Sequence, residues 1–253
     1  FASQKIAAVS NDALTDEGWS FSDALSRLLD QVEAYVANPK QVWGIPTGFD
    51  LDQPTGGWHR KQLFVLSGDP GSGKTAWLLD AAVNAARAGY HGILFSLEMS
   101  VDELMMRLIA DRTGISATQI KRGQIDSQDM AEIARQTGEL GELPLCVYDM
   151  PTNTATLQAI VARRVQQGQC DFVIVDYSKL VLDEGEQEAL RLGNIARSIK
   201  TMAKRLNVAA VLVHPSSRAP SVQNRRPDMA DLGWSWDVVY HTDVLVFVWR
   251  DKS

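Results

Sequence analysis

Apolar residues recur along this chain with two different periods. Between positions 21 and 36, Phe21, Leu25, Leu28, Leu29, Val32 and Val36 fall three or four apart. That spacing lines one face of a helix, with Ser20 or Ser22 placed to cap its start and Asn38-Pro39 to end it. From position 63 onward the apolar residues come instead in short unbroken runs, over 63–67, 92–96, 143–148, 172–176, 209–213 and 244–249. Runs of Val, Ile and Leu without polar alternation predict strands buried on both faces of a mostly parallel sheet. Helical patterns separate them, at 74–88, 100 to about 113, 127–140, 154–167 and 188–206. Ser100-Val101-Asp102-Glu103 reads as a capping box at one of these starts. A short helix is expected near 4–9, followed by a polar connection. Strands alternating with helices place the chain in the α/β class.

Residues 40–62 carry turn formers, Gly44-Ile45-Pro46-Thr47-Gly48 and then Gly56-Gly57-Trp58, and read as a connection into the first strand. Composition adds little: 45% hydrophobic and 22% charged residues in 253 are ordinary for a globular protein. No apolar run approaches a membrane span and no signal peptide is visible, so a cytoplasmic protein with no membrane partner is expected. Cys146 and Cys170 sit beside strand-like runs without metal-ligand spacing, which points to buried reduced thiols. The net charge of −6 argues against a uniformly basic nucleic-acid binder. Yet the segment 191–226 holds eight cations and no Asp or Glu. It is either a local basic face for an anion or an acidic neighbour, or a solvated helix face.

Chemistry concentrates after the first strand, in Gly68-Asp69-Pro70-Gly71-Ser72-Gly73-Lys74-Thr75. This is the spacing G-x-x-x-x-G-K-[ST] between a strand and a helix, a phosphate-binding loop. Glycines let backbone N–H groups close on phosphate oxygens, and the helix N-terminus faces the same anion. Lys74 is expected to reach the β- and γ-phosphates of ATP and the Thr75 hydroxyl to help hold Mg²⁺. Phe172-Val173-Ile174-Val175-Asp176 is an apolar strand ending in an acid. Beside a phosphate loop, Asp176 is expected to orient the Mg²⁺ shell. Glu98 follows the second strand. Its position is compatible with a water-activating base and with a helix-start acid favoured by the macrodipole.

Several motifs in order narrow the reading. Gly44–Phe49, the phosphate loop, Phe95-Ser96-Leu97-Glu98-Met99-Ser100, Val173-Ile174-Val175-Asp176-Tyr177 and Ile195-Ala196-Arg197-Ser198-Ile199-Lys200 resemble the ATPase domain of the DnaB-type replicative helicase family. Ala203-Lys204, Ser217-Arg218, Arg226-Pro227 and Asp231-Leu232 extend the resemblance, which runs from about residue 20 to 251. It implies a RecA-like fold assembled as a hexameric ring on single-stranded DNA. It implies ATP sites between subunits and unwinding coupled to translocation, with primase and a helicase loader as further partners. Glu98 then matches the catalytic glutamate. The helix at 20–37 matches a linker helix that packs on the adjacent subunit. On this reading residues 1–18 are the tail of an absent amino-terminal domain, 19–43 a linker, and 44–253 the ATPase domain, shortened at its end.

The chain also departs from that family. After the run 209–213 the family usually carries a glutamine that senses the γ-phosphate, and here His214 stands, followed by Pro215. A neutral histidine can still donate a hydrogen bond, and a structural loop histidine is the other reading. The family's channel-facing loop is replaced by Gly233-Trp234-Ser235-Trp236-Asp237. Trp234 and Trp236 are placed to stack on bases or to pack on protein. Arg218, Arg225 and Arg226 are candidate DNA or interface contacts. The loop Asp183-Glu184-Gly185-Glu186 is acidic and would repel phosphates in a DNA channel. The family's trans-acting arginine lies beyond the last strand of this chain, so weak ATP hydrolysis is expected of these 253 residues alone. A RecA-like recombinase or other ring ATPase, and a divergent nucleotide-binding ring subunit without helicase activity, are the alternative readings.

Overall fold

A computed structural model describes residues 18–39, 41–185, 187–216, 225–232 and 236–250. The helix expected near 4–9, Arg218 and Trp234 lie outside the described residues. The chain divides into two units, Phe1–Gln41 and Val42–Ser253. The first contains helix α1 (Phe21–Ala37). Of the two candidate caps, Ser20 is the one used: its Oγ accepts from the Asp23 N–H at 3.1 Å. At the other end the Asn38 N–H returns to the Ala34 carbonyl.

The second unit opens with the lead-in segment and a one-turn helix α2 (Asp52–Thr55). Strand β1 (Leu63–Gly68) runs into helix α3 (Lys74–Arg87), then β2 (Gly92–Ser96) and α4 (Val101–Thr113). Helices α5 (Ala117–Lys121) and α6 (Ser127–Gly141) precede β3 (Leu145–Tyr148). Helix α7 (Thr154–Gln166), β4 (Phe172–Asp176) and a 3₁₀ turn (Ser178–Leu180) follow. Helix α8 (Glu188–Leu206), β5 (Ala209–Pro215), a second 3₁₀ turn (Met229–Leu232), α9 (Trp236–Tyr240) and β6 (Val244–Phe247) complete it. The strands form one sheet in the order β3-β2-β4-β5-β1-β6, and every pairing is parallel.

The unbroken apolar runs now have their reason. Leu63 and Val65 of β1 point into one core with Val173 and Val175 of β4, covered by Leu157 of α7 and Ile195 and Ile199 of α8. Phe64 and Leu66 point the other way, with Phe172 and Ile174, under Leu78 and Ala82 of α3 and Leu104 and Leu108 of α4. Helices on both faces leave no side of a central strand for polar residues. Edge strand β3 is different: all four of its residues are only half-buried. Cys146, expected to be buried, is half-exposed there for that reason, and its sulfur accepts from Arg164 Nη2 at 3.2 Å. Cys170 is buried, and desolvation pushes its thiol up to about 12. Among the described residues no helix is long and apolar enough to cross a membrane.

The lead-in segment is locked to the sheet. Ile45 and Trp58 form an antiparallel bridge, and the Asp52 carboxylate accepts from the Thr47 N–H and hydroxyl at 2.9 and 2.7 Å. Asn84 of α3 donates to the Thr47 carbonyl at 2.9 Å. Trp58 is 1% exposed, its ring 5.4 Å from that of Phe172. Trp58→Ala is expected to cost about 3–5 kcal/mol, from lost burial plus a cavity. A matching fall in the urea midpoint checks it.

Candidate active site

Parallel pairing brings the carboxyl ends of β1, β2, β4 and β5 to one edge, and the chemistry collects there. Gly68 ends β1 so close to the Val248 carbonyl that a Cβ would overlap its oxygen. Only glycine lets the chain leave the sheet at this point. Gly73 takes φ 99°, a conformation that side chains disfavour, and turns the loop into α3. Lys74 then lies at the first position of the helix and folds back over the loop. Its Nζ donates to the Gly68 and Asp69 carbonyls, both at 2.8 Å. Burial lowers its pKa, and the charges of Asp176, Glu98 and Asp69 oppose that shift.

Thr75 Oγ1 donates to Asp176 Oδ2 at 2.9 Å. Burial raises the Asp176 pKa, the Glu98 charge adds to the rise, and the Thr75 hydrogen bond, Lys74 and Arg107 oppose it. Glu98 follows β2 in a turn held by two bonds. Ser96 Oγ donates to the Met99 carbonyl at 2.7 Å, and the Leu97 N–H donates to the Asp176 carbonyl at 2.7 Å. Lys74, Thr75, Glu98 and Asp176 thus line one open cavity of about 550 Å³. Asp69, Pro70 and Ser72 lie on the loop around it. Ser216 Oγ donates to Asp69 Oδ1 at 2.9 Å, while Ser67 Oγ, Asp69 Oδ2 and Ser72 Oγ are buried with no protein partner.

A hard divalent cation fits this donor set. Thr75 and Asp176 offer two oxygens side by side, and among the described residues no cluster of three or more His, Cys, Asp or Glu forms a complete cage. Such a partial site would suit Mg²⁺, which is ordinarily held by one or two protein oxygens.

Three further residues at this cavity are not apparent in the sequence. Arg107 of α4, Tyr177 and Lys179 also line it. Arg107 stands at a polar position of an amphipathic helix, a signal shared with many surface arginines. His214 is not among the lining residues. It is 1% exposed, opposite Ser67 in the β1–β5 register, with Nδ1 2.9 Å from Ser178 Oγ. Burial, with Lys179 nearby, lowers its pKa to about 4.

The described candidates for DNA contact, Arg225, Arg226 and Trp236, are not among the residues that line this cavity. Arg225 forms a two-pronged pair with buried Asp231, at 2.8 and 2.6 Å. Arg226 is exposed, and Trp236 is 48% exposed on α9. In the basic segment, Lys200 pairs with Asp243 and Arg191 donates to the Val181 carbonyl. Arg197 and Lys204 remain on the exposed side of α8. Asp183 of the acidic loop caps α7, accepting from the Thr154 N–H and hydroxyl at 2.8 and 2.7 Å.

Comparison with known proteins gives the same context. A family profile described as "DnaB-like helicase C terminal domain" matches residues 44–253. The chain is 29% identical over 257 residues to "Replicative DNA helicase DnaB" of Geobacillus stearothermophilus, covering 99% of this chain and 57% of that protein. It is 32% identical over 240 residues to the protein of that name in Nostoc sp. (strain PCC 7120 / SAG 25.82 / UTEX 2576), covering 91% of this chain and 27% of the relative. Among solved structures, one described as an ATPase domain superposes with a TM-score of 0.86 at 26% identity, covering 93% of this chain and 85% of that one. A DnaB-like replicative helicase, solved to describe its interactions with primase, gives 0.81 at 26% identity, covering 99% and 61%. The chain therefore spans a little over half the length of the first of these relatives.

Buried His214 gives the fold an acid sensitivity. Its pKa is about 4 folded against an ordinary 6.5, so below pH 6.5 the unfolded chain binds the extra proton. Stability is then full above pH 6.5 and falls as pH drops toward 4, by on the order of 3 kcal/mol in total. Urea unfolding across that window should show the fall, and His214→Asn should flatten it. Equal slopes for the two proteins would refute the assignment.

Proposed function

From the premise that this chain belongs to the DnaB-like helicase C-terminal domain family, we propose that it is the ATP-hydrolysing motor of a hexameric replicative DNA helicase. The observation that carries this reading is the convergence of Lys74, Thr75, Asp176 and Glu98 on one cavity at the sheet edge. Lys74 leaves the Gly68 and Asp69 carbonyls for the β- and γ-phosphates, exchanging two neutral acceptors for charged ones. Loop amides and the α3 N-terminus hold the same oxygens. Thr75 and Asp176 would hold a Mg²⁺, which would supply charge neutralisation to the phosphates. Glu98 accepts a proton from the attacking water, a role that suits a carboxylate open to solvent at the cavity rim.

Beyond the single chain, the family relationship supports a ring on single-stranded DNA, with α1 docking its apolar stripe on the neighbouring subunit. Arg226 and Trp236, both exposed, are the described candidates for strand contact, and Arg218 and Trp234 complete the proposed set. Arg225 serves that surface indirectly, by fixing the Met229–Leu232 turn through Asp231. One structural neighbour is a helicase described with its interactions with primase, and a primase contact is proposed here by that analogy.

Glu98→Gln is expected to lower the ATPase kcat by about 10²–10⁴-fold while nucleotide binding persists. Steady-state kinetics with a fluorescent-nucleotide titration checks both. Fluorescence anisotropy with labelled single-stranded DNA should show binding that a non-hydrolysable ATP analogue strengthens in wild type and not in Lys74→Ala. Whole protein that binds ATP and assembles yet never opens a forked duplex would end the helicase reading in favour of a nucleotide-binding ring subunit.

A further inference from the structure

Two elements that line the phosphate cavity from different parts of the fold meet beneath it. One is the end of β5, where Val213 and Pro215 face the cavity and His214, between them, points away into the interior at 1% exposure. The other is the turn after β4. Tyr177 and Lys179 line the cavity, and Ser178 between them is fully buried. The two inward residues join, Ser178 Oγ to His214 Nδ1 at 2.9 Å. Each is thus flanked on both sides by cavity-lining neighbours, and the bond ties the two walls from below.

The surroundings tell what the bond holds. β5 pairs residue by residue with β1, Ser67 opposite His214 and Gly68 opposite Pro215, so this end of β5 moves with the root of the phosphate loop. The turn continues into the segment fixed by Asp183 on Thr154. Arg191 spans it from α8, donating to the Val181 carbonyl at 2.9 Å. The Lys179 ammonium pairs with Glu188 at 2.9 Å. Among hydrogen bonds joining β5 to this turn, the Ser178–His214 contact is the side-chain link the described residues provide.

Resting on the ATPase reading, we infer that His214 is a positioning residue that acts on hydrolysis through Ser178, holding the Tyr177–Lys179 wall against the phosphate loop without touching nucleotide. The ring stays neutral at working pH because burial and the Lys179 charge disfavour the imidazolium, so its Nδ1 keeps one fixed role toward the serine. A residue reporting nucleotide by direct contact would instead use atoms at the far side of its ring.

Side-chain reach separates the two mechanisms. Asparagine places its polar atoms where histidine has Nδ1, and glutamine places them one bond further, where histidine has Nε2. In the whole protein, His214→Asn is expected to stay within about twofold of wild-type kcat. His214→Gln and Ser178→Ala should each lose about tenfold or more, the scale of a small misplacement of catalytic groups. The double variant Ser178→Ala/His214→Gln should be no worse than either single change, because both break one link. Amide hydrogen exchange of a peptide spanning 177–182 should speed up in His214→Gln and Ser178→Ala and not in His214→Asn. That structural readout decides the question for any variant with impaired assembly.

The inference falls if glutamine serves as well as asparagine or better, if Ser178→Ala keeps wild-type kcat and exchange, or if the double variant is markedly worse than the singles. Wild-type protein that hydrolyses no ATP would instead strike at the ATPase reading itself, leaving the exchange comparison to judge the link.

Discussion

Parallel strand pairing is the constraint on which the rest of this molecule depends. It sends every strand of the sheet in one direction, so the residues that end the apolar runs arrive at a single edge. Gly68 ends β1, Ser96 ends β2, Asp176 ends β4 and Pro215 ends β5, with Ser96 opposite Asp176 and Gly68 opposite Pro215 in register. The spacing of these strand ends is therefore set by ladder hydrogen bonds within a core covered on both faces. A dry, closely packed sheet is stiff, and that stiffness is what the phosphate loop leans on.

The charged groups of this edge are partly desolvated and held by neighbours within the fold. Lys74 is partly desolvated and spends its donors on carbonyls of its own loop. Asp176 is held by a hydroxyl, and burial weakens its ionisation. Three polar atoms of the loop and its strand, Ser67 Oγ, Asp69 Oδ2 and Ser72 Oγ, are buried without partners. Natural proteins keep such groups few. All three sit on the loop or at the end of the strand that leads into it.

The charge pattern shows how sequence runs mislead. A segment of eight cations invites the idea of a continuous basic face, yet the fold engages several of them with its own carbonyls and carboxylates. Arg191 braces the post-β4 loop, Lys200 meets Asp243, and Arg225 meets Asp231. The acidic loop is likewise partly structural, since Asp183 caps a helix. Helix periodicity scatters neighbouring charges around an axis, so charge density along a chain and charge density on a surface are different quantities.

Local rules made much of this protein legible from its residues alone. Unbroken apolar runs announced the strands, doubly covered at the centre of the sheet, capping residues set the helix starts, and glycine spacing before Lys74-Thr75 announced the turn from strand to helix, because each depends on neighbours in sequence. One-turn helices such as Asp52–Thr55 and Ala117–Lys121 escaped because the helical period cannot repeat within them. Strand order escaped too, since β1 lies between β5 and β6, far from it in the chain. Only tertiary structure could bring Thr75 onto Asp176, Arg107 to the cavity wall, and His214 onto Ser178. Those contacts arise from register and layer packing, long-range properties that no residue carries by itself. For His214 the difference is decisive: its type offered a hydrogen-bonding group near a phosphate, and burial at the floor of the sheet edge turned that group away from the cavity.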